Sequence, residues 1–413
     1  MNRNLIDKNA RGIIDKKNED LKVDIIGDNL SGKSVALCVT GGIAAIETPK
    51  LARYLRRYGA EVKAYMTPAA SKFIGKAALE WATEQPVVTE LSGMSEHICL
   101  EDLVLVAPST TNTLNKIFQG QADNTVTTLV ASALGMGKPV HLAPTMHESL
   151  YNNPFFLENL GRAEKYGIHI IPPRVGEGKA KMPRLDYITA EVCRELSTHP
   201  IKGKQILVTG GPTAVKIDDV RMITNRFRGS LGKRIATEAY LRGADVKYLL
   251  GNRDLKVPSF LDVLYHNDYD EYVKNVFSEL HTGEYDAGIF SAAVADYRPK
   301  DVTKGKIPSR GALKTIELKE TMKVIANVRS QFSDLHMVTF KYEDGVDFAK
   351  LLTIANKRIN DGYQMVIANR AEDMKTNHQA YLVTKTGYEK AESSRDITEK
   401  LVNHLGRELC SPS

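Results

Sequence analysis

The chain has 413 residues, 42% of them hydrophobic and 26% charged, a globular composition that excludes wholesale disorder and collagen-like or mucin-like architectures. Lys plus Arg exceeds Asp plus Glu by 56 − 50 = 6, a mild excess that suits phosphorylated ligands and falls short of a nucleic-acid footprint, so no nucleic-acid partner is expected. Cys38, Cys99, Cys193 and Cys410 lie far apart with no C-x-x-C, which excludes a zinc ribbon or a disulfide scaffold and points to a reducing cytoplasm.

The length fits two or three domains at roughly 100–200 residues each. The first residues, Met1 to Asp7, are polar with no apolar run behind them, and nowhere do about 18 uncharged apolar residues follow one another. A soluble, cytoplasmic protein with no membrane partner is therefore expected. Residues 1–30 read as a charge-rich, helical extension. Within and beyond it, Gly27-Asp28-Asn29-Leu30-Ser31-Gly32-Lys33-Ser34 matches G-x-x-x-x-G-K-[ST]. A working phosphate loop needs a strand before it and a helix after it, whereas Val35, Leu37 and Val39 are β-prone and lead into another glycine turn.

The chain then repeats itself. Gly32-Lys33-Ser34 leads into Val35 to Val39 and Thr40-Gly41-Gly42, and Gly203-Lys204-Gln205 leads into Ile206 to Val208 and Thr209-Gly210-Gly211. Tyr54-Leu55-Arg56-Arg57-Tyr58-Gly59-Ala60 is echoed by Tyr240-Leu241-Arg242-Gly243-Ala244. Leu103 to Pro108 and Ala287 to Ala293 are short apolar runs ending in small residues, as buried parallel strands are. The period is too long for a solenoid, so two α/β domains are predicted, each opening with strand, Gly-rich turn, helix and strand. Their boundary falls near Thr198-His199-Pro200, after a helical pattern from Ile188 to Leu196 that the proline helps to end. This gives an extension 1–30, a first domain 31–198 and a second 199–413, with 405–413 read as a frayed tail.

Gly41-Gly42-Ile43-Ala44-Ala45 after a strand offers backbone N–H groups to a phosphate. It is not G-x-G-x-x-G, and Thr67 stands where a ribose-reading carboxylate would close the next strand, so a dinucleotide site is not supported.

Thr40 to Ala45, Glu96-His97-Ile98, Ala107-Pro108-Ser109-Thr110-Thr111-Asn112-Thr113 and Ala143-Pro144-Thr145-Met146-His147 together resemble the flavin-dependent cysteine decarboxylase family. Thr209-Gly210-Gly211-Pro212-Thr213, Asp218-Asp219-Val220-Arg221, Ile223-Thr224-Asn225, Ala292 to Pro299 and Ile367-Ala368-Asn369 resemble the phosphopantothenate–cysteine ligases. The pair in one chain is the pattern of the bifunctional enzymes of coenzyme A synthesis, and it covers residues 32 to 405. The resemblance implies two Rossmann-like α/β domains, a flavodoxin-like flavoprotein domain followed by a parallel-sheet nucleotide-binding ligase domain. It implies CTP-dependent ligation of 4'-phosphopantothenate with cysteine through an acyl-cytidylate, then FMN-dependent decarboxylation to 4'-phosphopantetheine. It also implies Mg²⁺ and a homo-oligomer, with trimers building a dodecamer.

By that resemblance Gly42, Ile43, Ala44 and Thr67 belong to the phosphate and ribityl end of the flavin, Ser109, Thr110, Asn112 and Thr113 lie along it, and His97 is catalytic. Two departures stand out. His147 replaces the asparagine of the common Pro-x-Met-Asn, and Gly176-Glu177-Gly178-Lys179-Ala180-Lys181 replaces a cysteine-bearing flap, a combination similar to the archaeal branch. His147 and Lys179, with Lys181 beside it, are thus candidates for the missing proton donor. In the ligase domain the resemblance gives Asn225 to the acyl-cytidylate, Asp296 to the cation and Lys306 to acyl transfer. Gly211, Pro212, Thr213, Phe340, Lys357, Arg358 and Asn369 go to the nucleotide. Here too the chain departs from the pattern: Phe227-Arg228-Gly229-Ser230-Leu231-Gly232 replaces Ser-Ser-Gly-Lys-Met-Gly, Pro308 replaces a lysine, and Arg370 replaces an acid. Two alternatives remain: a ligase with a non-catalytic flavin-binding or assembly domain, and a P-loop nucleotide-binding regulator acting through Lys33.

Overall fold

The computed structural model describes residues 21–308, 315–376 and 379–410, and the chain divides into two units between Ser197 and Thr198. In the first unit, strands β1 (Ser34–Val39), β2 (Glu61–Met66), β3 (Leu103–Ser109), β4 (Val140–Pro144), β5 (Met146–His147), β6 (Ile168–Ile170), β7 (Arg174–Gly176) and β8 (Lys179–Lys181) form two sheets. The main sheet is parallel in the order β2-β1-β3-β4-β6. This is the flavodoxin-like winding, whose direction reverses between β1 and β3. All seven residues of β3 are buried, as a strand covered by helices on both faces must be.

The second unit carries β9 (Gln205–Gly210), β10 (Val215–Lys216), β11 (Met222–Ile223), β12 (Asp245–Leu250), β13 (Asp262–Tyr265) and β14 (Ala287–Phe290). It continues with β15 (Tyr297–Pro299), β16 (Leu318–Glu320), β17 (His336–Glu343), β18 (Met365–Arg370), β19 (Ala380–Thr384) and β20 (Gly387–Ala391). Its main sheet runs β13-β12-β9-β14-β17-β18-β19-β20. The first six are parallel in dinucleotide-fold order, with the reversal between β9 and β14. The sheet expected to be parallel ends instead in an antiparallel hairpin, β19–β20.

Two local readings are corrected, and the rejection of the phosphate loop is supported. Of the extension, residues 1–20 lie outside the described residues, and 22–28 are not helical. The amides of Ile26 and Leu30 donate to the carbonyls of Arg57 and Tyr58 at 2.9 and 2.8 Å, and Leu30 is fully buried, so this segment belongs to the first unit. Gly27–Ser34 runs through a turn into β1 with no helix after it, which removes the phosphate-loop geometry. At the other end, 405–410 are not frayed. They close the helix Ser394–Cys410, whose Ile397, Leu401 and Leu405 pack into the same core as Ile206 and Val208 of β9. Burial at this level stabilises by roughly 1.5–3 kcal/mol per side chain, which outweighs fraying. Among the described residues no helix is long and apolar enough to cross a membrane.

Candidate active sites

The reversal points of the two sheets are where ligands fit, because neighbouring chain connections leave in opposite directions and open a crevice at the strand ends. At the first, the Thr40 hydroxyl donates to the Pro108 carbonyl at 2.7 Å and accepts the Thr110 amide at 3.2 Å, tying the ends of β1 and β3 together. Gly41 is required by packing, since a Cβ there would lie 2.4 Å from that of Ala69. Beyond the turn lies a cavity of about 1130 Å³, at the upper end of the size of small-molecule sites and roomy enough for a cofactor with a substrate.

Gly42, Ile43, Ala44, Thr67, Thr110, Asn112, Thr113, His147 and Lys179 all line this cavity. Ser109 lies beneath it: its carbonyl accepts the amide of the lining residue Thr145 at 3.0 Å. Its hydroxyl is fully buried and has no partner among the described residues, so it is free to bond a ligand or a water at the base of the cavity. Thr67 is already engaged, its hydroxyl accepting the Ala70 amide at 3.3 Å.

One wall is a small antiparallel sheet in which β8 pairs with both β5 and β7. The β7–β8 hairpin turns through Glu177 and Gly178, both at positive φ (54° and 65°), as a two-residue turn matched to strand twist requires. Pairing sets Lys179 opposite His147. The Lys181 ammonium is held by Glu177 at 2.5 Å, whereas Lys179 has no ion-pair partner among the described residues. His147 caps the short helix that follows it. Its Nδ1 accepts the Ser149 amide at 3.3 Å, which leaves the imidazole proton on Nε2.

No cysteine lines the cavity. Cys38, Cys99 and Cys193 are buried; burial pushes the Cys38 thiol up, and burial beside Glu101 pushes the Cys99 thiol up to about 11, so neither of these two is a reactive thiolate at neutral pH. His97 is not brought to the cavity within one chain. It sits exposed in the loop before β3. That loop is fastened just downstream, where Lys138 Nζ donates to the carbonyls of Cys99 and Glu101 at 2.8 and 2.7 Å and the Tyr65 hydroxyl to Glu101 at 2.9 Å.

At the second reversal point a cavity of about 460 Å³ is lined by Gly211, Arg226 to Gly232, Ser291 to Ala293, Phe340, Tyr342, Ile367, Asn369, Ala380, Ser394 and Ile397. Gly229 (φ 85°) packs so closely that a Cβ would stand 2.7 Å from the Gly211 amide nitrogen. Asn225 Nδ2 donates to the Ala293 carbonyl at 2.6 Å, and its Oδ1 accepts the Phe227 amide at 3.2 Å, which puts it at the rim. Pro212 bridges to Ala293, and the buried Thr213 accepts the Ala295 amide at 2.8 Å, so both brace the turn from behind.

The remaining expected residues do not line this cavity. Arg358 Nη1 donates to the Phe340 carbonyl at 2.9 Å, and Lys357 is exposed one residue before it. Asp296 accepts from Lys323 at 2.6 Å. Lys306 is exposed on a loop whose flanking amides, Gly305 and Ile307, donate to Asp219 at 2.7 Å and Asp218 at 3.0 Å. Sequence reasoning missed Lys323, and it missed Arg226 as a lining residue. It read Arg370 as a lost acid, yet Asp373, three residues on, binds that guanidinium through two bonds of 3.0 and 2.9 Å. Among the described residues no three His, Cys, Asp or Glu side chains converge to hold a metal.

Comparison with known proteins agrees with this architecture. Residues 25–197 match the family model described as flavoprotein, and residues 201–408 match that of the DNA/pantothenate metabolism flavoprotein C-terminal domain. The coenzyme A biosynthesis bifunctional protein CoaBC of Thermococcus kodakarensis is 38% identical, covering 92% of this chain and 93% of its own. Those of Methanocaldococcus jannaschii (33%, 91% and 94%) and Bacillus subtilis (30%, 84% and 87%) are similar over nearly the same span. A crevice at each reversal point, both family domains in order and this full-length similarity together establish that the chain belongs to the coenzyme A biosynthesis bifunctional proteins, enzymes that join a flavoprotein decarboxylase to a ligase.

Proposed function

We propose that the first cavity binds FMN and decarboxylates 4'-phosphopantothenoylcysteine to 4'-phosphopantetheine, and that the second ligates 4'-phosphopantothenate to cysteine with CTP. The observation that carries the first half is the unpartnered, buried Ser109 hydroxyl beneath a large crevice at the flavodoxin-like reversal point. Gly42, Ile43 and Ala44 with Thr67 would take the phosphate and ribityl end, and Ser109, Thr110, Asn112 and Thr113 the ring. FMN held there would supply reversible two-electron chemistry at the thiol-bearing carbon, which would ease loss of CO₂ with no net redox change.

The chain's own groups then handle charge and protons. The unpaired Lys179 ammonium and the Nε2–H of His147 are the donors facing each other across β5 and β8. They stand in for the absent flap cysteine and asparagine by holding the substrate carboxylate and delivering a proton. His97 serves this chemistry only if a neighbouring copy supplies it, which suits the homo-oligomer that the resemblance implies.

In the second cavity the phosphopantothenate carboxylate attacks the α-phosphorus of CTP and pyrophosphate leaves, after which the cysteine amine displaces CMP. Asn225, neutral and already oriented by Ala293 and Phe227, is suited to hold the acyl-cytidylate without repelling it. Lys306, on a loop clasped by Asp218 and Asp219, is suited to neutralise charge in the transfer. Among the described residues no cluster of carboxylates or histidines holds a cation, so Mg²⁺ would enter with the triphosphate as part of the substrate, and Asp296, bonded here to Lys323, is the carboxylate that the resemblance gives it.

The test is an absorption spectrum of the purified chain, followed by mass analysis of products from phosphopantothenate, cysteine and CTP. A flavin spectrum, with phosphopantetheine formed at the expense of CTP, is expected. A flavin-free protein that cannot be reconstituted rejects the first half, and failure to form phosphopantothenoylcysteine rejects the second.

A further inference from the structure

The cations that the resemblance assigns to the nucleotide do not line the second cavity: Arg358 supports a carbonyl, and Lys306 and Lys357 lie outside the lining. Two other cations do. Arg226 and Arg228 are the only charged residues among those lining the cavity, and no carboxylate accompanies them. Neither guanidinium has an ion pair or a hydrogen bond among the described residues, in a chain where Arg221, Arg242, Arg298 and Arg370 are all paired with acids. Both are exposed at the edge of the cavity, where an entering anion meets two guanidiniums and no competing carboxylate.

We propose that Arg226 and Arg228 grip the polyphosphate of the nucleotide, with Phe227 between them in sequence anchoring the segment. This rests on the reading of the second cavity as the ligase site. Phe227 meets Tyr342 edge to face, with ring centroids 5.8 Å apart, and both line the cavity. That contact pins the segment from the side of β17, while the Asn225 bond to Ala293 pins it from the end of β14. The backbone between two fixed points directs the arginines on either side of Phe227. Gly211, Gly229 and Gly232 line the same cavity and carry no side chain to keep a phosphate away from the backbone, which leaves its negative charge to be met by the arginines. Planar, bidentate guanidiniums suit phosphate oxygens better than an ammonium does. The usual lysine of this motif is Ser230 here, and Arg228 restores its charge two residues earlier.

Inorganic tripolyphosphate is the probe. Its affinity for the full chain is measured by calorimetry for wild type, Arg226→Ala, Arg228→Ala, the double variant and Arg228→Lys, and the ligase reaction is followed in parallel. Each alanine variant should bind tripolyphosphate about tenfold or more weaker, the double variant weaker still, and the lysine variant in between. The nucleotide KM should rise correspondingly while the cysteine KM and decarboxylation of supplied phosphopantothenoylcysteine stay unchanged, a split that a folding defect would not produce. Equal binding by wild type and the double variant, or no binding by wild type, overturns the proposal. If tripolyphosphate binds as expected but no ligation occurs in wild type, the ligase reading fails while the arginine grip stands.

Discussion

Asp218 is almost completely buried, at 1% exposure, and spends both carboxylate oxygens on backbone and guanidinium donors. The Ile307 amide donates to it at 3.0 Å, the amides of Val220 and Arg221 at 2.8 and 2.6 Å, and Arg221 Nη1 at 2.6 Å. These bonds, led by that of Ile307, pull its pKa down to about 2. With Asp219 holding Gly305, they fix the chain on both sides of Lys306 without touching its side chain. Such a carboxyl stabilises the fold above its ordinary pKa of about 3.9 and ceases to do so as pH falls through its folded value. Asp218→Asn should therefore lower Tm at pH 6, with the gap to wild type closing as pH drops from about 4 towards about 2. It should also slow ligation, because the Lys306 loop is loosened, and leave decarboxylation alone. A pH-independent Tm gap, or unaltered ligation, would show that the Asp218 bonds do not hold the loop.

The element that makes the decarboxylase cavity unusual is the β7–β8 hairpin. Its two-residue turn needs left-handed backbone at Glu177 and Gly178, which costs an L-residue roughly 1–2 kcal/mol at each such position. Gly178→Val should unsettle the hairpin, move Lys179 out of register with His147 and depress decarboxylation at least tenfold, with flavin content and ligation retained. Wild-type turnover in that variant would exclude a role for the hairpin. The two β-strand, glycine-turn openings were legible in sequence because buried parallel strands are nearly continuous apolar runs and the turn glycines follow at once. The end of the last helix was not: Leu405 continues the helical spacing of Ile397 and Leu401, but the polar residues after it made 405–413 look like a tail. The β19–β20 hairpin was missed for a similar reason, since Gly387-Tyr388-Glu389-Lys390 is an exposed edge with little apolar signal. At the sites, motif positions in the glycine turns and at strand ends came together around the cavities. Residues on long loops, His97 and Lys306, did not, because a loop's path depends on tertiary contacts such as those of Glu101 and Asp218 that no local pattern encodes.

At the scale of the molecule, the exposed position of His97 becomes a statement about assembly. If this histidine acts on the flavin-side substrate, the cavity of one copy must be completed by the loop of another, as in a cyclic assembly with head-to-tail contacts. Met94 and Leu100, either side of His97, are 83% and 75% exposed, so this loop offers apolar side chains that a neighbouring copy could cover. Two inactive variants distinguish the possibilities. His97→Asn keeps the cavity and removes the imidazole. Gly42→Trp keeps His97 but fills the cavity: residue 42 lines it, its extended backbone (φ −150°) accepts a side chain, and a Cβ there meets only Thr110, at 3.5 Å. Each variant alone should lose decarboxylation and retain ligation. Co-expressed in equal amounts, they should regain up to about one quarter of wild-type decarboxylation, because half of the chains carry an open cavity and half of their neighbours an intact histidine. Recovery is measured as CO₂ released from phosphopantothenoylcysteine per chain. No recovery in verified mixed oligomers would mean that His97 serves its own chain or none, and the exposed apolar loop would then need another explanation.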